Sequence, residues 1–441
     1  MSRVLLCTLM LSAAAVAQEQ PPPPPPQSLT LEQAVQIALQ RNSDLQRQVL
    51  LTLSAEQDKV LARSSILPAV SFNASLFGVR TNGPVLQSGV PVPVETTTFQ
   101  PNYSARASIT QLIFDGGKWW NNMAASDRAY QSNLAQTDEQ RLQITYLVEQ
   151  RFYEMVRAQR QLQVLGEAAT RSRDQANYTQ RLFEGGRATQ ADVYAARANR
   201  DNDEVSRLGQ ERAVELARAD LSTAVGLEPG TPLTVQEPQN LMAEPAQPPA
   251  IQQAVSQALV TRPSIKAASL LFESNEKAAS AAKGDYWPTL SASAGWNRGT
   301  TEASQYFSDP VKNSQVTIGV TLNWNIFNGL STNANVRKAE IQALLSQNDL
   351  QTARRTVAND VEKAVAQLAT ARAQVRVAQQ AEQTAREGLR LARTRQEVGV
   401  GTQLEVRDAE LKLTQAQLNV VGSLVDGREA EAALRRAQGG T

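Results

Sequence analysis

The chain has no histidine and a single cysteine, Cys7, so carboxylates, lysines and tyrosines are the groups left for chemistry. The usual general base and the commonest metal ligand are missing, which disfavours an enzyme; no cofactor or metal site is expected. The most pointed arrangement is Thr402-x-x-Glu405-x-x-Asp408, with Thr189-x-x-Asp192 as its match earlier in the chain. A spacing of three puts Glu405 and Asp408 on one helix face, where paired negative charge attracts cations. The same residues have a plain use in building the helix. Thr402 and Glu405 read as a capping box, and Asp192 sits where the helix dipole favours an acid. Gly399-Val400-Gly401 resembles a phosphate loop only superficially, because no strand precedes it and no P-loop lysine follows.

The elements that position these residues are encoded twice. Leu31, Ala34, Val35, Ala38, Leu39, Leu45 and Pro68 match Ile251, Ala254, Val255, Ala258, Leu259, Ile265 and Pro288 at an offset of 220. Further along the offset is 213, where Phe114-Asp115-Gly116 matches Phe327-Asn328-Gly329 and Glu184, Gly186, Thr189, Gln190 and Val193 match Glu397, Gly399, Thr402, Gln403 and Val406. The change falls between two predicted strands, so the first copy has the longer hairpin loop. Two copies of one long unit favour a single elongated architecture over several compact domains.

Arg3, the apolar run from Val4 to Leu11, and Ala15-Val16-Ala17 have the pattern of a secretory signal, expected over residues 1–17. Its removal would take away Cys7 and, with Arg3, leave basic and acidic residues equal in number, so nothing draws the chain toward nucleic acid. A proline-rich spacer is expected at 18–27. Beyond the signal no apolar run reaches the roughly 18 residues of a spanning helix, so a membrane crossing must use strands.

The expected layout is a first repeat at 28–226, a linker at 227–249 rich in proline, and a second repeat at 250–438. After Pro68 and Pro288 the period changes to two. Val70, Phe72, Ala74 and Leu76, then Tyr103, Ala105, Ala107 and Ile109, alternate with polar residues near 69–79 and 103–114. Leu290, Ala292, Ala294 and Trp296, then Val316 through Ile326, do so near 289–298 and 315–326. Strands of about ten residues suit a tilted bilayer crossing, and Arg106 falls on the polar face. The hairpin tips, 81–102 and 299–314, read as polar loops.

Proline-free stretches rich in Ala, Gln, Arg, Leu and Glu predict long helices at 117–183 and 330–397, each followed by a return helix, 190–226 and 402–438. Val357, Val361, Ala364, Leu368, Ala371, Val375, Ala378, Ala385 and Leu389 form a heptad seam broken by Glu382. Gly185-Gly186-Arg187 and Gly399-Val400-Gly401 mark the reversals. Trp119 and Trp120 follow a strand, where packing at the strand-to-helix junction is favoured over an interfacial belt.

Four strands cannot close a barrel, and open edges are not viable in lipid, so subunits must share one; two, three or more copies would serve. The duplicated order of helix, proline-marked strand entry, hairpin, Phe-Asp/Asn-Gly, very long helix, Gly-x-x-Thr turn and return helix resembles the TolC-type outer-membrane efflux proteins over roughly residues 28 to 438. Ile113-Phe114-Asp115-Gly116-Gly117 and Ile326-Phe327-Asn328-Gly329 carry the likeness most specifically.

The resemblance implies a mainly α fold with transmembrane β: a homotrimer whose three protomers share a 12-stranded barrel continuous with a long α-helical coiled-coil barrel. It implies an exit duct for small toxic compounds or proteins, working with a periplasmic adaptor and an inner-membrane pump of RND or ABC type. Glu405 and Asp408, with Asp192 at the matching place in the first copy, would gate the periplasmic end. Gly185, Gly186, Arg187, Thr189, Gly399, Gly401 and Thr402 would form tips that meet the adaptor. The chain departs from the family's entrance lock, with Gln396 and Gly401 where a Tyr and an Arg are expected, leaving Arg187 or Arg395 for that role. The rival reading is a secreted coiled-coil scaffold or adhesin, which explains the rods but not two matched hairpins with one apolar face.

Overall fold

The computed structural model describes residues 28–81, 85–87, 90–92, 98–228, 230–308 and 312–440; the expected signal peptide and proline spacer lie outside them, as do residues 82–84, 88–89 and 93–97 of the expected first hairpin tip. The first copy runs β1 (Ser28–Leu29), α1 (Leu31–Arg41), α2 (Ser43–Ser64), β2 (Ala69–Thr81), β3 (Val85–Gln87), β4 (Val90–Val92), β5 (Thr98–Phe114), α3 (Lys118–Glu184) and α4 (Gln190–Val225). The second runs β6 (Thr234–Val235), α5 (Ile251–Thr261), α6 (Pro263–Lys283), β7 (Thr289–Thr300), α7 (Ala303–Ser308), β8 (Ser314–Asn323), α8 (Ser331–Glu397) and α9 (Gln403–Gln438).

Four of the strands form an antiparallel sheet in the order β2-β5-β7-β8, while β3 and β4 make a small antiparallel pair and β1 and β6 a parallel one. Its register gathers the apolar positions of both copies on one face. Phe72, Ala107, Trp296 and Val316 form one row, and Val70, Ile109, Ala294 and Ile318 form another. The opposite face carries Ser71, Ser108, Gly295 and Thr317 in a row, with serine hydroxyls bonded across the strands at 2.8 Å for Ser71–Ser108 and 2.7 Å for Ser75–Ser104. Arg106 lies on this polar face between Asn73 and Asn297. Within the chain the sheet is open, with β2 and β8 at its edges.

The structure departs from the sequence expectation at four places here. The second hairpin tip holds α7, whose Gln305 carbonyl accepts from Arg298 at 2.9 Å and whose Tyr306 ring packs near Tyr103, centroids 5.7 Å apart. Strand β5 starts at Thr98, so the first tip is shorter than 81–102. Strand β8 ends at Asn323, short of the expected 326, and the Trp324 indole N–H beyond it donates to the Tyr286 carbonyl at 3.2 Å. Trp119 and Trp120 stack on each other with ring centroids 3.8 Å apart, Trp119 half-buried and Trp120 largely exposed, so within the chain the expected junction packing is met in part, between the two rings.

Each Phe-Asp/Asn-Gly motif is a strand-to-helix hinge. Asp115 accepts from the Trp119 N–H at 2.9 Å and Asn328 from the Thr332 N–H at 3.3 Å, satisfying donors in the first turns of α3 and α8. Both long helices have 67 residues, and at about 1.5 Å per residue each spans roughly 100 Å. The heptad positions Val357, Val361, Leu368, Val375 and Leu389 are buried.

Short helices complete four parallel columns. Below the sheet α2 packs on α3, and α6 sits between α3 and α8; toward the far end α4 packs on α3, and α9 sits between α3 and α8. The columns join end to end. Asn42 caps α2 and donates to the Ala224 carbonyl of α4 at 3.3 Å. In the second copy Arg262 takes that place, bonded to both Glu139 oxygens at 3.0 and 2.7 Å and to the Arg436 carbonyl. Glu139, from α3, also accepts from the Ser264 N–H at 3.2 Å and so caps α6 from the other repeat.

Candidate functional site

The two reversals at the far end share one geometry. Thr189 and Thr402 are extended N-caps, and each hydroxyl accepts from the N–H three residues on, Asp192 and Glu405. Gly186 and Gly399 take positive φ, 69° and 79°, which ends α3 and α8 in the left-handed conformation that glycine adopts without a Cβ penalty. Gly185, Gly186, Arg187 and Thr189 are exposed at the first tip, and Gly399 and Thr402 at the second. Exposed Val398, Val400 and Leu404 give the second tip an apolar surface.

The two caps differ from what their sequences predict. At the first tip the Asp192 carboxylate closes back onto the Thr189 N–H at 2.9 Å and hydroxyl at 2.7 Å, making a reciprocal capping box. These bonds, the backbone one first, hold its carboxyl below the usual range. At the second tip only half of the expected Thr402–Glu405 box forms. The Glu405 carboxylate turns instead to Arg395, 3.5 Å away, and leaves the Thr402 N–H. Asp408 pairs with Lys412 one turn along, at 2.6 Å. Glu405 and Asp408 are therefore exposed on one face, as their spacing requires, whereas Asp192 is spent on its cap.

Arg395, one of the two residues left for an entrance lock, meets Glu405 within its own hairpin; Arg187 stays exposed at the other tip. Gly401 cannot supply a lock residue. A Cβ there would stand 2.9 Å from the Arg395 Cβ and 2.9 Å from the Gln396 nitrogen, so the reversal needs a glycine at this place.

The ties between halves lie deeper, on residues that sequence reasoning passed over. Arg407 bonds both oxygens of Asp203, joining α9 to α4, and the pair is mostly shielded from water. Arg171 of α3 donates to the Thr414 hydroxyl at 3.1 Å, and Gln403 donates to Thr179 at 2.7 Å. Beside them Arg393 holds the buried Glu410 at 2.9 Å. The only signal in the sequence was that Arg407 interrupts an otherwise acidic motif.

An open groove of about 1140 Å³ runs along α8 and α9, floored by small residues such as Ala381, Ala385, Ala392 and Ala409. Glu405, Asp408 and Lys412 stand along it. Among the described residues no helix is long and apolar enough to cross a membrane, and no three carboxylate or thiol ligands cluster as a metal site.

The sequence model of the family described as "Outer membrane efflux protein" matches residues 34–227 and 254–440, the two repeats. The probable efflux pump outer membrane protein TtgC of Pseudomonas putida is 25% identical over 417 residues, covering 93% of this chain and 83% of that protein. The outer membrane protein TolC of Vibrio cholerae is 24% identical over 405 residues, covering 88% and 87%. Among solved structures, CusC superposes with a TM-score of 0.81 at 18% identity, covering 93% of this chain and 92% of that one. VceC from Vibrio cholerae gives 0.78 at 18%, covering 93% and 96%.

Proposed function

The chain belongs to the outer membrane efflux protein family and serves as an outer-membrane exit duct, and we propose that three copies of it close one 12-stranded barrel above a continuous helical tube. The observation that carries this reading is the open four-stranded sheet, apolar on one face and small and polar on the other, with the outer edges of β2 and β8 unpaired within the chain. In lipid those edges must pair, and the repeat supplies the way: β5 pairs with β7 at the junction of the two copies, so β8 pairs with β2 of the next chain in the same manner.

The helices support the same closure. Leu270 of α6, between α3 and α8, is 7% exposed; its counterpart Leu50 on α2, which has only α3 beside it, is 65% exposed. A neighbouring α8 against α2 makes the two environments alike. In the assembled tube Glu405 and Asp408 from each chain form an acidic ring at the periplasmic entrance, and the exposed tips at Gly185–Arg187 and Val398–Leu404 meet a periplasmic adaptor that couples the duct to an inner-membrane pump.

The test is the mass of the detergent-extracted protein with its conductance in a planar bilayer. Three chains per particle and ion-conducting steps are expected; a monodisperse monomer without conductance would sink the reading.

A further inference from the structure

The second hairpin tip folds back against the sheet, and the side it chooses is informative. Along β7 the side chains of Leu290, Ala292, Ala294, Trp296 and Arg298 share one face, and the register sets Arg298 in a row with Ala105 and Ala74. Tyr103, two residues before Ala105, is on that face as well. This is the apolar face of the sheet, yet at its upper end it carries a charge. Helix α7 covers that charge. The Arg298 guanidinium donates to the Gln305 carbonyl at 2.9 Å and lies 5.3 Å from the centre of the Tyr306 ring, which leans on Tyr103 with centroids 5.7 Å apart. Asn313 donates to the Gln305 side-chain oxygen at 3.2 Å and ties the returning chain to the helix.

Burial marks how far this cover extends. Arg298 is 7% and Ala105 4% exposed, whereas Phe72, Leu76, Val316 and Ile318 on the same face are between 66% and 81% exposed. Arg106, on the polar face, stays exposed. From Leu290 to Arg298 the wall of a barrel rises roughly 20 Å, at about 3.3 Å per residue and a tilt of about 40°. The apolar band of a membrane barrel is about 25 Å tall, with aromatic girdles at both borders. Arg298 and the two tyrosines therefore fall at the upper border, where an arginine costs little and a tyrosine meets an apolar and a wet side at once.

We propose that α7 is a membrane anchor: it lies against the outside of the barrel wall, in the headgroup layer of the outer leaflet, with hydrogen-bonding lipid headgroups as its partner. This rests on the reading of the sheet as part of a closed barrel with its apolar face outward. The occupant is lipid because the surface beside α7 continues into exposed apolar rows that hydrocarbon must cover, while α7 itself turns a polar side outward, with Glu302, Ser304 and Gln305 exposed. A second copy of the chain is not the occupant, since α7 sits over β5 and β7 in the middle of the sheet and copies join through β2 and β8. The second tip is thus turned aside from the lumen and anchors the barrel without covering its mouth.

Cys7 is the only cysteine in the sequence, so single labels can be placed. In a Cys7→Ser background, Ser304→Cys on α7, Phe72→Cys on the apolar face and Asn297→Cys on the polar face each receive an environment-sensitive fluorophore, and the oligomer is reconstituted into phospholipid vesicles. Lipids with a nitroxide on the headgroup should quench the α7 label more strongly than lipids with a nitroxide deep in the acyl chain. For the apolar-face label the order should reverse, and the polar-face label should respond only to a water-soluble nitroxide. Tyr306→Ser, which removes the ring seated on Arg298 and Tyr103, should weaken headgroup quenching of the α7 label and leave the apolar-face label as it was; an unchanged α7 signal would overturn the anchor. If the α7 label responds only to the water-soluble quencher while the apolar-face label is quenched from the acyl chains, α7 stands off the membrane and the inference fails with the barrel intact. If the apolar-face label also escapes the acyl-chain quencher, the barrel reading fails with it.

Discussion

Arg407 of α9 and Asp203 of α4 face each other in a two-pronged ion pair, at 2.7 and 2.8 Å, that fastens the return helix of one repeat to that of the other. Charge-assisted bonds in so shielded a place are worth about 1.5–3 kcal/mol each way they are broken. In the proposed ring, Arg407→Ala is expected to loosen the far end and raise the single-channel conductance. Asp203→Ala should do the same, and the double variant should be no worse than either single one. Planar-bilayer recordings of all three check this; unchanged conductance in both single variants would show that the pair does not restrain the entrance.

Glu405→Ala with Asp408→Ala strips the exposed acidic face of α9. Block of the channel by multivalent cations should weaken by about tenfold or more, equivalent to about 1.4 kcal/mol of cation binding. Asp192→Ala, whose carboxylate is held by Thr189, should leave block unchanged and only loosen the first turn of α4. Titrating the conductance with a trivalent cation separates these outcomes.

The pair Leu50 and Leu270 distinguishes folding from assembly. Leu270→Ala empties a filled site inside the chain and should cost about 2–5 kcal/mol of stability. Leu50→Asp touches a surface that only a neighbour would cover, so helix content by circular dichroism should persist while the oligomer is lost. Equal damage from both would argue against a neighbour at α2.

Glu139 and Arg262 form the most deeply placed ion pair described, with side chains 12% and 4% exposed. Removing one partner leaves a buried charge and frees the cap of α6, so Glu139→Ala should cost about 3–5 kcal/mol, seen as a lower thermal midpoint. Glu139→Gln, which keeps an acceptor for the Ser264 N–H, should recover part of it.

Burial raises the carboxyl pKa of Glu149 and of Glu429, against the opposing pull of Arg435 and Arg157. The folded chain therefore binds these protons more tightly than the unfolded one. Their contribution is fully present below the unfolded pKa of about 4.3 and is lost as pH rises through the folded values. Glu149→Gln with Glu429→Gln should flatten the fall in thermal midpoint over that window; an unaltered pH profile would contradict it.

Most of the architecture was legible because it rests on periodicity. Both long helices lie within one residue of the expected bounds, and the strand alternation placed Phe72, Ala107, Trp296 and Val316 on one face before their register was known. The heptad seam is buried at Val357, Val361, Ala364, Leu368, Ala371, Val375 and Leu389, with Ala378 and Ala385 half-buried. What escaped was set by contacts between distant segments. The break at Asn42 leaves no mark in the α1–α2 spacing, and Arg262 reveals its role only beside Glu139, more than a hundred residues away. Glu405 carries a capping-box spacing yet turns to Arg395, because a competing guanidinium at the end of α8 is a tertiary fact. The hairpin tips were misjudged for a related reason: the contacts of Arg298 and Tyr103 that hold α7 in place are not visible in local polarity.

Because Arg407 and Asp203 fasten α9 to α4 within one polypeptide, the two return helices of a chain are coupled at their far ends. A displacement imposed at one tip therefore reaches the other through that bond, and the polypeptide answers a pull there as a single lever.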